Sequence, residues 1–194
     1  CGCYSQLSPE EAAKNGAKVI FGTGNHEGFL EALESAVDGG EEKTEIDDPF
    51  RRKRYEELPA GAVSGRTRAM LKIQDGCVNF CAYCIIPYKR GAERSRDPEE
   101  ILQHVKSLAA QGVKEVTLLG QIIPRYGLDH PDYPKLPELL RRIHDIEGLE
   151  RIRFLTSHPN WMTDELLQHQ RRHCVGAHSA MEVNGYANMP DATH

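Results

Sequence analysis

Three of the chain's six cysteines fall within eight residues. They are Cys77, Cys81 and Cys84 in the stretch CVNFCAYC, spaced C-x3-C-x2-C. Thiols bunched in this way do one of three kinds of chemistry. Cys81 and Cys84 form a C-x2-C pair that could cycle as a redox disulfide. Cys77 is then left over, and Pro87 and a basic loop follow where a thioredoxin-like pair has a long helix. A structural zinc ion takes four ligands. With no second C-x2-C, the fourth would come from Cys174, His104 or another distant residue. A [4Fe–4S] cube normally takes four thiolates, so three leave one iron open to bind and activate a ligand. Tyr83 stands directly before the last cysteine of the set.

The elements that must position this loop read as an α/β series. In SPEEAAKNG, Ser8 caps a short helix, Pro9 suits its first position, Glu11 completes a capping box and Gly16 ends it. Before it, the chain's first residues read as the end of a strand or the start of a turn. KVIFG is a short buried strand. HEGFLEALESAVDGG is a helix with Phe29, Leu30, Leu33, Ala36 and Val37 on its inward face, stopped by Gly39. A linker is expected over 41–65, where acidic residues give way to Pro49, Pro59 and Gly61. RAMLKI is then a strand, with the cysteine loop just past its end. DPEEILQHVKSLAAQG is the clearest helix. Asp97 caps it, Pro98 opens it, Glu100 stands three residues past the cap, and Ile101, Leu102, Val105, Leu108 and Ala109 face inward. EVTLLG is a strand, LPELLRRIHDIEGL an amphipathic helix, RIRFLTSHP a strand, and TDELLQHQ opens a helix capped by Thr163. Strands alternating with helices of crossover length make a parallel sheet, and such sheets carry their functional loops at the carboxyl ends of the strands. The cysteine loop, Gly120-Gln121 and Ser157-His158-Pro159 all fall at such ends and are expected to converge.

The chain of 194 residues is 39% hydrophobic and 27% charged, an ordinary globular balance. Its formal net charge of −5 argues against the whole chain being a nucleic-acid surface. Two local basic groups remain, Arg51–Arg54 and the run ending at Arg96. The first reads better as a solvated linker or helix face than as a phosphate track. Clustered rather than scattered cysteines, no apolar run of membrane-spanning length and no charged-then-apolar leader give a cytoplasmic protein that keeps its thiols reduced.

The C-x3-C-x2-C spacing, the aromatic before the third cysteine and the position after a strand together resemble the radical S-adenosylmethionine (radical SAM) superfamily. The resemblance implies that Cys77, Cys81 and Cys84 ligate three irons of a [4Fe–4S] cluster, and that S-adenosylmethionine chelates the fourth. It implies one-electron cleavage of the sulfonium to a 5′-deoxyadenosyl radical, with Tyr83 near the adenine and Gly120 near the methionine part. The wider stretch TRAMLKIQDGCVNFCAYCIIPYKRGAERSR is similar to the methylthiotransferases of that superfamily, which insert a methylthio group into tRNA or a ribosomal protein. GCYSQLSPEE resembles the end of that family's N-terminal domain, where three cysteines hold a second [4Fe–4S] cluster. Cys3 matches the last of those three, and Cys1 is an extra neighbour.

The expected organisation is therefore part of an N-terminal α/β domain over 1–40, a linker over 41–65, the first half of a radical SAM parallel βα barrel over 66–172, and an unassigned tail over 173–194. Because the chain starts at Cys1 and lacks the family's remaining βα units and RNA-gripping β-domain, it is expected to be an inactive fragment of a longer enzyme. The implied partners are the anticodon region of tRNA and a one-electron reductant, in a monomeric enzyme with no membrane contact. The implied substrate is C2 of an N6-modified adenosine 37. GCYSQLSPEE and RTRAMLKIQDGC lean toward the threonylcarbamoyl-type enzyme, whereas RGAERSR, LLGQ and FLTSHP look like the isopentenyl type. The ribosomal-protein-modifying relative and a non-catalytic iron–sulfur or zinc module are the further alternatives. Lys89, Arg90, Arg94 and Arg96 lie just beyond the cysteine loop and either meet phosphates or a SAM carboxylate or form a solvated loop. His158 either faces the cofactor or caps, or hydrogen-bonds to, the helix that follows its strand. Trp161 reads as packing rather than base stacking. His173, Cys174 and His178 form a metal set on paper only, in a tail with no regular pattern.

Overall fold

The structure, a computed structural model, describes residues 1–57, 65–155 and 157–167. In chain order the elements are α1 (Cys3–Leu7), α2 (Pro9–Lys14), β1 (Val19–Phe21), α3 (His26–Val37), β2 (Lys43–Glu45), a 3₁₀ turn at Pro49–Arg51, β3 (Arg68–Lys72) and β4 (Gln74–Asp75). They continue with α4 (Ile86–Arg90), β5 (Arg94–Ser95), α5 (Pro98–Ala110), β6 (Glu115–Leu119), a 3₁₀ turn at Ile123–Arg125, α6 (Leu136–His144), β7 (Arg151–Phe154) and a 3₁₀ turn at Pro159–Trp161. The chain divides into two compact units. One comprises Cys1–Pro59 and Gly76–Arg94, the other Ala60–Asp75 and Ser95–His194. Hence the cysteine loop groups with the N-terminal unit, although it follows β3 in the chain and the sequence pattern places it in the C-terminal domain.

In the first unit β1 and β2 pair in parallel, Val19 opposite Lys43 and Phe21 opposite Glu45, with α3 as the crossover. Residues 43–52, read from sequence as linker, are tied into this unit. The buried Gln6 donates through Nε2 to the Asp47 carbonyl at 2.8 Å and accepts from the Thr23 N–H at 2.8 Å. Arg52 reaches the Asp47 carboxylate and donates to Thr23 Oγ1 at 2.8 Å. Three further expectations fail here. The chain's start is helical, and α1 runs directly into α2. Ser8 stands at the α2 N-cap but makes no side-chain cap, and its own N–H, the group a capping-box Glu would meet, closes α1 on the Tyr4 carbonyl at 2.9 Å. Glu11 meets the Tyr4 hydroxyl at 2.6 Å instead of closing a capping box. On α3 the buried stripe is Ala32 flanked by the half-buried Phe29 and Ala36, with Phe29 edge-on to Phe21. Leu30, Leu33 and Val37 are exposed. The apolar arc is wider than the face that finds a neighbour, and periodicity does not say which part is covered.

In the second unit β3, β6 and β7 form a parallel sheet in that order, with Arg68 opposite Glu115 and Glu115 opposite Arg151. The βα order made this topology necessary, since parallel neighbours need crossovers of about a dozen residues. Asp97 caps α5 by accepting from the N–H groups of Glu99 at 2.8 Å and Glu100 at 3.2 Å. Ile101, Leu102, Val105 and Leu108 of α5 and Leu136, Leu139, Leu140 and Ile143 of α6 pack on Ala69, Leu71, Val116, Leu118 and Phe154. Thr163 Oγ1 accepts from the Leu166 N–H at 3.3 Å and starts the helix at 164, as its sequence position implied. At the amino ends of the strands the buried Glu115 pairs with Arg151 at 2.9 Å, Arg153 at 3.1 Å and Arg68 at 3.7 Å. This group braces the sheet at the end away from the functional loops. No helix among the described residues is long and apolar enough to cross a membrane.

Candidate metal centre

Cys77, Cys81 and Cys84 lie on one loop between β4 and α4, and all three are free thiols. Cys77 is buried, and the other two are half-buried. Main-chain contacts shape the loop. The Cys77 N–H donates to the Gly91 carbonyl at 3.0 Å, and the Cys84 N–H donates to the Cys81 carbonyl at 2.9 Å, closing the C-x2-C turn. Gly76 just before it has φ +77, and a Cβ there would lie 1.9 Å from the Ala92 carbonyl oxygen. Only glycine fits where two backbones come this close. The loop leads into α4, with Pro87 buried and the Gly91 N–H returning to the Pro87 carbonyl at 2.8 Å.

The donor set suits a cluster. Three soft thiols without disulfide partners bind iron–sulfur groups or zinc. The Asn79 N–H points at Cys77 Sγ at 3.4 Å, a hydrogen bond of the kind that tunes cluster sulfurs. Burial pushes the Cys77 thiol above its ordinary range, the Asn79 contact opposes this, and Cys84, Glu93 and Cys81 add to the rise. Among the described residues no three Cys, His, Asp or Glu side chains are gathered to grip a single metal ion. In a cluster each thiolate takes its own iron, so its ligands stand around a cube and not around one ion. Cys3, at the first position of α1, is a half-buried free thiol in the same unit, and Cys1 is exposed. Tyr83 is 94% exposed, so its ring is free to meet a ligand.

The basic residues beyond the loop separate into different roles. Lys89 and Arg90 are half-buried in α4. Arg94 is buried, and its guanidinium donates to the carbonyls of Ala92 at 2.7 Å and Arg90 at 3.0 Å, which holds the return of the loop. Arg96 is buried in the second unit against His104 Nδ1 at 3.1 Å. Its carbonyl accepts from the Tyr126 hydroxyl at 2.8 Å, and burial pushes that hydroxyl's pKa far above its usual value. Neither arginine forms the solvated loop that sequence offered as one reading, and both guanidiniums are engaged inside the protein. The run Arg51–Arg54 divides in the same way. Arg52 turns inward, while Arg51, Lys53 and Arg54 are exposed.

In the second unit Gly120 ends β6. A Cβ on it would lie 2.6 Å from Ile123 Cδ1 and 3.1 Å from Gln74 Cβ, so the backbone passes tightly over Gln74. Gln74 is fully buried. Its Oε1 accepts from the Ile122 N–H at 3.4 Å, while its Nε2 has no hydrogen-bond partner. Flipping the amide would set Nε2 against that N–H, so the orientation is determined. A buried donor without an acceptor is costly and points to a ligand that supplies one. Sequence reading passed over Gln74, and its position two residues past β3 was the available signal. His158 Nδ1 accepts from the Asn160 N–H at 3.3 Å, a local contact within the Pro159–Trp161 turn that precedes the helix at 164. The Arg125 guanidinium lies 4.0 Å from the centre of the Trp161 ring, so that ring is stacked within the protein. His173, Cys174 and His178 lie outside the described residues.

A profile of the Radical SAM superfamily matches residues 71–185, more than half of the chain. The chain belongs to the radical SAM superfamily, whose cofactors are S-adenosylmethionine and a [4Fe–4S] cluster. Among curated proteins it is 46% identical over 174 residues to the tRNA-2-methylthio-N(6)-dimethylallyladenosine synthase of Caldicellulosiruptor saccharolyticus, covering 86% of this chain and 36% of the relative. It is 42% identical over 174 residues to the enzyme of the same name from Clostridioides difficile, covering 86% of this chain and 35% of the relative. The chain thus spans about a third of the length of these relatives. A solved radical S-adenosylmethionine methyltransferase, TsrM from Kitasatospora setae with cobalamin and [4Fe-4S] cluster bound, aligns at a TM-score of 0.41 and 19% identity, over 52% of this chain and 19% of that one.

Proposed function

We propose that this chain is the cluster-loop portion of a radical SAM methylthiotransferase that acts on tRNA, of the dimethylallyl (isopentenyl) adenosine type. The observation that carries the reading is the 46% identity over 174 residues to a relative of that name, running through the three-thiol loop. It favours the second of the two substrate readings weighed from sequence over the threonylcarbamoyl one. The substrate position is C2 of adenosine 37, in the anticodon loop. Such a base is already unpaired and is presented with little unstacking.

Cys77, Cys81 and Cys84 would hold three irons of the cluster. When bound, that cluster with S-adenosylmethionine supplies one-electron chemistry at the sulfonium. The chain's own residues prepare the place. Gly76 and the Cys77–Gly91 bond set the entry of the loop, Arg94 holds its return, and the Asn79 N–H steadies the Cys77 sulfur. Tyr83 offers an exposed ring for the adenine. Gly120 is assigned to the methionine end, and the Gln74 Nε2 beside it, the half of that amide with no partner, would donate to an acceptor there. Cys3 is assigned to a second cluster whose other ligands belong to the longer parent. The test uses the parent protein, reconstituted anaerobically with iron and sulfide. It is offered anticodon stem-loops bearing either N6 group, and products are read by mass spectrometry. Methylthiolation of the dimethylallyl RNA is expected. Turnover of only the threonylcarbamoyl RNA reverses the assignment, and turnover of neither overturns the function.

A further inference from the structure

We infer that Phe50, Phe80 and Tyr88, with Arg51, Lys53 and Arg54 beside them, form a stacking platform for unpaired RNA bases. The inference deepens the tRNA reading above and rests on it. Three segments of the first unit bring these rings together: the turn at Pro49–Arg51, the cysteine loop and α4. Phe50 and Phe80 lie nearly parallel, 8° apart in plane, with centroids 6.5 Å apart. Tyr88 stands edge-on to Phe80 at 5.7 Å and to Phe50 at 6.3 Å. Despite packing on one another, the three residues remain 49%, 59% and 53% exposed. Large aromatics held in one exposed group are not explained by the core, and they mark a surface that meets something.

The turn that presents Phe50 is well anchored. Pro49 is buried, and the Phe50 N–H donates to Asp48 Oδ1 at 2.9 Å. A Cβ on Gly91 would lie 2.0 Å from the Pro49 carbonyl oxygen, so α4 ends directly against the turn. The rings are therefore set in place by the backbone, which lowers the ordering cost of a contact.

Charge selects the kind of partner. Within four residues of Phe50 the chain exposes Arg51, Lys53 and Arg54. Arg51 is 88% exposed in its side chain, with Asp48 Oδ2 3.5 Å from its Nε. Arg52 alone turns inward. Exposed aromatic faces with solvated cations beside them are the pairing that single-stranded RNA requires. The faces take bases of any identity, and the cations follow phosphates. An apolar protein partner would bury these cations without a counter-charge.

The experiment measures binding of a fluorescein-labelled anticodon stem-loop to the reconstituted parent protein by anisotropy. A second RNA carries 2-aminopurine in the loop to report stacking. Phe80 lies between two of the cysteines, so the variants avoid it, and iron content is measured alongside. The double variant Phe50→Ala/Tyr88→Ala is expected to weaken binding about 5- to 150-fold for each base that no longer stacks and to relieve the 2-aminopurine quenching. Phe50→Leu/Tyr88→Leu keeps the volume without the π faces and is expected to show the same weakening if the alanine protein misfolds. Phe50→Trp and Tyr88→Phe are expected to bind like wild type. Replacing Arg51, Lys53 and Arg54 by Gln should flatten the dependence of log Kd on log salt by roughly 0.7 for each phosphate no longer neutralised. Wild-type affinity in both double variants overturns the platform. If their melting temperature also falls, the rings are covered by the parent's own chain. A wild-type protein that binds no stem-loop removes the tRNA reading together with the platform, whereas a bound stem-loop indifferent to the rings removes the platform alone.

Discussion

The cysteine loop hangs on the close approach at Gly76, and Gly76→Ala tests it. Gly76 has φ +77, and the new Cβ would sit 1.9 Å from the Ala92 carbonyl oxygen. Ordinary contact begins at 3.4 Å, so one main-chain segment must move by about 1.5 Å, the difference between those two distances. A side chain in this backbone region costs about 1–2 kcal/mol by itself. The shift also breaks the 3.0 Å bond from the Cys77 N–H to the Gly91 carbonyl, worth about 0.5–1.5 kcal/mol. The expected loss of stability in the parent protein is thus about 1.5–3.5 kcal/mol. Gly39→Ala in the same unit is the control, since Gly39 has φ +87 with nothing within 4 Å of its added Cβ. That variant should lose only the conformational part, about 1–2 kcal/mol. Urea unfolding gives the stabilities, and iron and sulfide content after reconstitution reports on the loop. Gly76→Ala should retain less cluster, and Gly39→Ala should retain all of it. Equal stability and equal iron in the two variants would show that the close approach does not shape the loop.

Gln74→Glu keeps the acceptor for the Ile122 N–H but replaces the unpaired Nε2 donor, and Gln74→Met removes both. Both should weaken S-adenosylmethionine binding by calorimetry about tenfold, the order of one hydrogen bond, with iron content unchanged; unaltered binding would take Gln74 out of the cofactor's reach. Asp97→Ala removes the cap shared by Glu99 and Glu100 and should cost about 0.5–2 kcal/mol in urea unfolding; no change would mean the cap is not needed once α5 is packed. The hydrogen bond from Arg52 holds the Asp47 carboxyl below its ordinary value. A depressed folded value gives stability that is present above the unfolded pKa of about 3.9 and is lost as pH falls through the lower folded value. Asp47→Asn should flatten that acid-side loss in a pH series of melting temperatures, and an unchanged pH slope would place the acid sensitivity elsewhere.

Much of the second unit was legible in its sequence because local rules and tertiary packing agree there. The Asp97 cap, the 3.6-residue apolar stripes of α5 and α6 and the short strands between them each point to a parallel βα series, and no long-range contact overrides them. The first unit was harder to read. Ser8 has every property of a cap, but α1 precedes it directly and takes its backbone. Residues 43–45 are polar and short, and they become a strand only because β1 offers them a parallel partner. The stretch holding Asp47 and Arg52 has a linker's composition, yet both residues are anchored by Gln6 and Thr23, far away in the chain.

By itself the sequence determined the spacing of three thiols, the aromatic before the third and the order of strands and helices behind them. These are short-range properties, readable because thiol chemistry and helical periodicity both act over a few residues. The tertiary structure decided which charges and faces are available. It turned Arg52, Arg94 and Arg96 inward, left Leu30, Leu33 and Val37 of α3 outside, buried Gln74 with one donor unanswered and grouped Phe50 with Phe80 and Tyr88. Each of these depends on contacts between residues distant in the chain, and periodicity and composition carry no information about which distant residue will arrive.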